Sequence, residues 1–156
     1  MQLTFREAEE SDLPAVVALL ADDYLGKQRE DTSEPLNPAY LAAFREMRAQ
    51  GGNRLLVAEA EVEGATRIVG SLQFVLLPGV SLKGMRRAQI EGVRVASDLR
   101  GAGLGQRLFQ HAIDLARAEG CGLLQLTADA SRADAQRFYE SLGFKASHLG
   151  YKLKLD

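Results

Sequence analysis

The chain has a single cysteine, Cys121, so no internal disulfide can form. That fits a reducing compartment, and a cytoplasmic protein is expected. With two histidines and that one cysteine, the sequence offers no cluster at metal-ligand spacing, and no metal is expected. The formal net charge is −2, the wrong sign for a general nucleic-acid binder. The opening residues MQLTFREAEE lack the apolar run of a signal peptide. No uninterrupted apolar stretch is long enough to span a bilayer, so no membrane partner is expected. Internal repeats, low-complexity tracts and linkers are missing too. What remains is 156 residues, 46% apolar and 26% charged, which is ordinary for a globular protein; one domain over 1–156 is expected.

Glycine, in contrast, is abundant, and its densest cluster lies in the stretch around which the chain is organised, Arg86 to Phe109. Ile90, Val93 and Val95 mark a strand, and Ser97-Asp98 end it. Arg100, Gly101, Gly103 and Gly105 crowd the turn that follows. Leu104, Leu108, Ala112, Leu115 and Ala116 then recur at helical spacing. Such a turn can aim several backbone N–H groups at one point, and with the helix dipole they favour a phosphate. Within the strand, alternation puts Ile90 on one face and Val93 and Val95 on the other. The apolar phase slips, and Gly92 sits in the slip. A β-bulge accounts for this, and a plain strand buried on both faces is the alternative.

Read in order, Leu3 to Glu7 is a short strand. Ser11-Asp12 starts a helix with Pro14 in its first turn and Leu13, Val16, Val17 and Leu20 on one face. Residues 25–37 are polar and read as a long loop, whose Glu30, Asp31 and Glu34 either attract a cationic amine or face solvent. Asn37-Pro38 opens a second helix, which Gly51-Gly52 stops. Strands over Arg54–Ala60 and Arg67–Leu77 follow, joined by a turn at Glu63-Gly64. After the long helix come a strand over Leu123–Ala128 and a helix capped by Ser131 with Asp134 in a short capping box. The tail from Phe144 to Leu155 reads as one or two strands. This order predicts an α/β chain with a mixed sheet: an antiparallel meander, one parallel strand–helix–strand unit, and helices on both faces.

The glycine turn lacks P-loop spacing, with Gln106-Arg107 where Lys-Ser/Thr would stand, and its GxGxG misplaces the third glycine of a dinucleotide fingerprint. Arg100-Gly101-Ala102-Gly103-Leu104-Gly105 does match the R/Q-x-x-G-x-G/A turn of the GCN5-related N-acetyltransferases (GNAT). Phe138-Tyr139-Glu140-Ser141-Leu142-Gly143-Phe144 resembles that family's FYxxxGF helix end. The order of elements resembles the family along essentially the whole chain. The resemblance implies the acyl-CoA N-acyltransferase fold, a mostly antiparallel mixed sheet flanked by helices on both faces. It implies acetyl-CoA as cosubstrate, with its pyrophosphate on the N–H groups of Arg100, Gly101, Ala102, Gly103, Leu104 and Gly105. The pantetheine arm would run along backbone near Val93 and Val95, in a gap where the strand splays from the next. A homodimer is common in the family.

Amine acetylation poses two proton problems. An alkylamine with a pKa of about 10 must be stripped at neutral pH, and a thiolate must leave. Glu91, beside the slip where the family often places an acid, is the candidate base; binding the substrate ammonium, or pairing with Arg87 or Arg94, is its other reading. Tyr139 matches the family tyrosine that points at the cofactor sulfur, and is the candidate acid; the other reading is a core aromatic. A backbone N–H near Val93 or Arg94 would meet the oxyanion. Where many members carry an asparagine, this chain has Arg132, which could still reach a phosphate. His148 is an alternative acid or base, His111 reads as an exposed helix residue, and Cys121 as inert packing. The expected activity is acetyl transfer to an amine of a small molecule or protein. The rivals are a non-catalytic acyl-CoA-binding or regulatory module on the same scaffold and a nucleotide-binding module.

Overall fold

The computed structural model describes residues 1–156. Its sheet has five strands in spatial order of sequence: β1 (Thr4–Glu7), β2 (Asn53–Val62), β3 (Ala65–Leu77), β4 (Arg87–Val95) and β5 (Leu123–Leu126). The first four run antiparallel, and β5 joins β4 in parallel. A parallel neighbour requires a crossover, and the expected long helix supplies it. The helices are α1 (Leu13–Ala21), the one-turn α2 (Gly26–Arg29), α3 (Pro38–Gln50), the one-turn α4 (Ser81–Gly84), α5 (Leu104–Ala118) and α6 (Ala133–Ser141). Asn37 caps α3 as expected, its Oδ1 accepting from the Ala39 N–H at 2.9 Å.

Strand alternation divides the core. Leu56, Ala58, Leu72, Phe74, Ala88 and Ile90 are buried in one cluster with Leu104, Leu108, Phe109, Ala112 and Ala116 of α5. Val57, between two of those residues, points the other way and packs with Val16 of α1 and Phe44 of α3. Full burial of a side chain such as Phe74 or Leu108 contributes about 1.5–3 kcal/mol. On the edge strand, Arg6 donates bidentately to Asp12 at 2.7 and 3.0 Å and also engages Glu59, tying the entry of α1 to β2.

Three local expectations fail and a fourth holds in part. Ser131 does not cap α6: its N–H and Oγ both turn back to Asp129 Oδ1, at 2.9 and 2.6 Å, so the capping box does not form. The loop expected over 25–37 holds from residue 30 onward, after the one-turn α2, and is pinned by Tyr40, whose hydroxyl accepts from the Asp31 N–H and donates to Glu30. The tail forms no strand, and Leu149, Tyr151, Leu153 and Leu155 are each at least 80% exposed. Alternation makes a strand only where a neighbour completes the ladder, and no strand pairs with the tail. His111 is half-buried, stacked on Phe5 with ring centroids 4.5 Å apart.

Candidate active site

The phase slip at Gly92 is a bulge. Gln73 of β3 faces Glu91 of β4, but Ser71 faces Arg94, so two residues of β3 span three of β4. Gly92 carries the distortion with φ of 60°, a left-handed conformation that glycine adopts at least cost. The bulge brings Val93 and Val95 onto the core face of Ala88 and Ile90, where both pack against the main cluster. It leaves Gln89, Glu91 and Arg94 on the side of α1. The added residue also ends the parallel pairing: β5 follows β4 only over Arg87–Ile90 against Leu123–Leu126. Past Ile90, β4 has no neighbour on that side, and its edge is open through Val95.

The glycine turn lies at the end of this open edge. Gly101 (φ 86°) and Gly103 (φ 76°) are both left-handed, and a Cβ at either would meet nothing within 4 Å. The N–H groups of Gly101, Gly103, Leu104 and Gly105 find no acceptor in the backbone, and no side chain caps α5. Those of Arg100 and Ala102 make long bonds of 3.4 Å to Ser97 and Leu99. A groove of about 410 Å³ runs over the turn, walled by Val95, Leu99 and Leu104 and by Phe138 of α6. Gly105 is needed for a different reason: a Cβ there would come within 3.2 Å of the Phe138 ring, so α5 and α6 could not approach as closely. Free donors, the positive end of a 15-residue helix and open space fit a diphosphate, and the unpaired strand edge fits an amide-bearing arm.

Glu91 directly follows Ile90, the last residue of β4 to pair with β5. A one-directional chain of hydrogen bonds reaches it. Arg87 Nη1 donates to Gln125 Oε1 (3.2 Å), Gln125 Nε2 to Gln89 Oε1 (2.8 Å), and Gln89 Nε2 to Glu91 Oε1 (2.6 Å). The Glu91 carboxylate is therefore held by Gln89 and not by Arg87 or Arg94. Tyr139 stands on α6 with its ring edge-on to Phe109 and Phe144, at centroid distances of 5.4 and 6.1 Å. Its hydroxyl makes no hydrogen bond within the chain. Burial raises the Tyr139 pKa above that of an ordinary phenol, against the opposing positive charges of Arg94 and Arg132, so it is protonated at neutral pH. His148 is exposed beside Ser147, and burial raises the Cys121 thiol, leaving it protonated and unreactive.

The sequence reading missed a charge cluster on the α1 side. Asp23, just past α1, lies 2.8 Å from Arg132 Nη2 and 3.4 Å from Arg94 Nε. Burial would push the Asp23 carboxyl up, but the Gly26 N–H and the two guanidinium charges hold it below the usual range. Burial lowers the Arg94 pKa, partly offset by Asp23. Arg132, expected to meet the cofactor, is thus tied to Asp23 at the start of α6. A signal for Arg94 was present: once the bulge is placed at Gly92, the β4 alternation puts Arg94 on the same face as Glu91.

The family model described as Acetyltransferase (GNAT) family matches residues 13–144. Over 99% of its length the chain is 34% identical to glucosamine 6-phosphate N-acetyltransferase of Trypanosoma brucei brucei, covering 97% of that protein. It is 29% identical, over 94% of its length and 83% of the relative's, to an L-methionine sulfoximine/L-methionine sulfone acetyltransferase of Pseudomonas aeruginosa. A crystal structure from Bacillus halodurans described as a transcriptional regulator superposes with a TM-score of 0.91 at 47% identity, covering 99% of this chain and all of that one.

Proposed function

The chain belongs to the acetyltransferase (GNAT) family, and on that premise we propose that it transfers the acetyl group of acetyl-CoA directly to a primary amine, with Glu91 as base and Tyr139 as acid. The observation that carries this reading is the parting of β4 from β5 after Ile90 and Leu126, beside a turn in which the N–H groups of Gly101, Gly103, Leu104 and Gly105 have no backbone acceptor. Acetyl-CoA supplies the acyl group as a thioester, so a C–N bond forms as a C–S bond breaks.

Backbone at Gly101, Gly103, Leu104 and Gly105, flanked by Arg100 and Ala102, holds the diphosphate. The open edge at Val93 and Val95 takes the pantetheine arm as an added strand. Arg132 commits one nitrogen to Asp23 and remains partly exposed, which leaves it able to meet a cofactor phosphate. Glu91, fixed by Gln89, takes the proton that the attacking amine must lose, directly or through a water. Tyr139 gives its proton to the departing sulfur. A backbone N–H at the bulge, near Val93 or Arg94, holds the carbonyl oxygen as it gains charge. The near full-length likeness to two acetyltransferases whose names specify small amines favours a small-molecule acceptor over a protein.

A regulatory acyl-CoA-binding module is the second reading, favoured by the description of the Bacillus halodurans structure. Incubation with acetyl-CoA and a panel of amines, following free thiol, decides between them. Thiol release dependent on one class of amine is expected. Tight binding of coenzyme A with no release from any amine would establish the module instead.

A further inference from the structure

Two buried side-chain polar atoms have no hydrogen-bond partner, Ser71 Oγ and Arg94 Nε. They belong to residues paired across β3 and β4, immediately past the bulge. Arg94 donates through Nη1 to its neighbour's carbonyl, Val93 O, at 2.8 Å. Its Nε contact with Asp23 at 3.4 Å is electrostatic and not a hydrogen bond. Asp23 meanwhile lies nearer to Arg132, at 2.8 Å. Two guanidinium groups therefore contact one carboxylate, and Glu30 adds negative charge to Arg94 only at longer range. Arg132 has the better share, and Arg94 is left the under-compensated cation, only 17% exposed. A partly buried cation whose Nε lacks a hydrogen-bond partner is costly unless its charge is better compensated. Its position agrees: Arg94 lies on the α1 side of β4, next along that face from Glu91.

We infer that Arg94 is a specificity residue that binds an anionic group on the acceptor, so that the preferred substrate is a primary amine carrying a carboxylate, phosphate or phosphonate. This rests on the acetyltransferase reading above. The guanidinium binds the acceptor's anion through its Nη nitrogens, Nε itself being closed to solvent, and Asp23 partly neutralises the charge. The anion anchors one end of the acceptor while the amine end lies toward Glu91.

The test compares amines matched except for the anion: O-phosphoethanolamine against ethanolamine, and L-methionine against L-methioninamide. Thiol release from acetyl-CoA gives kcat and KM, and calorimetry on the coenzyme A complex gives binding without turnover. At least one anionic member is expected to exceed its partner in kcat/KM on the order of 10- to 100-fold. R94Q should abolish that preference mainly through KM, with R94K keeping part of it. D23N, which retains an acceptor for the Gly26 N–H, should lower KM for the anionic member. The two pairs separate phosphate from carboxylate recognition. Equal kcat/KM within both pairs, or an equal loss for both members in R94Q, would overturn the inference and leave the acetyltransferase reading standing. Were thiol never released, binding heat from an anionic probe and none from its neutral partner would still support the anion site. Absence of heat from both anionic probes would overturn it.

Discussion

Ile90 of β4 pairs with Leu126 of β5, and it is the last residue of β4 to do so. The next two residues are Glu91 and Gly92. The strand therefore loses its parallel neighbour, β5, where it gains an acidic side chain and a bulge. The gap between the strands, the open backbone edge and the placement of Glu91 all follow from that one event.

The bulge is testable through Gly92→Ala. An added Cβ would sit 3.5 Å from Leu20 Cδ2, an ordinary contact, so the cost is conformational. Holding alanine at φ 60° costs about 1–2 kcal/mol. A lower melting temperature by circular dichroism is expected, with a raised KM for acetyl-CoA as β4 relaxes towards regular pairing. A destabilised variant with unchanged KM would separate the bulge from cofactor binding.

For Tyr139→Phe the ring contacts with Phe109 and Phe144 survive, so stability should change by less than about 0.5 kcal/mol. Loss of the hydroxyl should slow kcat by roughly 10- to 100-fold or more while leaving coenzyme A affinity intact. Stopped-flow turnover alongside calorimetry reads both, and an undiminished kcat would remove Tyr139 from the chemistry.

Replacing Glu91 with Gln preserves size but removes the base. Activity at neutral pH should fall by on the order of 100-fold. It should recover partly as pH rises toward the pKa of the amine, where free amine becomes abundant. A pH–rate profile parallel to wild type would reassign Glu91 to binding the substrate ammonium.

Asp12 offers a prediction about stability alone. The donors of Arg6 hold its carboxyl below the usual range, outweighing burial, which acts the other way. A lowered folded pKa means stability that is fully present above the unfolded value of about 4 and lost as pH falls through the lower folded value. D12N should therefore cost on the order of 1 kcal/mol at pH 7. The gap from wild type should close progressively below a pH of about 4. Urea midpoints at a series of pH values measure it, and a constant gap would mean the residue acts through packing.

Several features were legible because they are local. The slip between Ile90 and Val93 pointed to a bulge at Gly92 or to a strand buried on both faces, and the register between β3 and β4 decided for the bulge. Asn37-Pro38 showed the start of α3, because an oxygen two residues before a free N–H is all that the cap needs. The glycine turn showed itself because φ above zero and an open approach both require glycine. Ser131 misled for a similar reason: Asp129, two residues back, competes for the same groups and wins.

What local pattern determined was the order of elements, the distorted strand and the phosphate-shaped turn. Only the folded chain decided that β4 and β5 part at Ile90, that Gln125 reaches Glu91 through Gln89, and that Asp23 stands between Arg94 and Arg132. It also decided that the alternating tail stays unpaired. Turns and periodicity depend on residues a few positions apart. Strand register and shared counter-charges depend on which distant segments packing brings together, and that information is spread over the whole core.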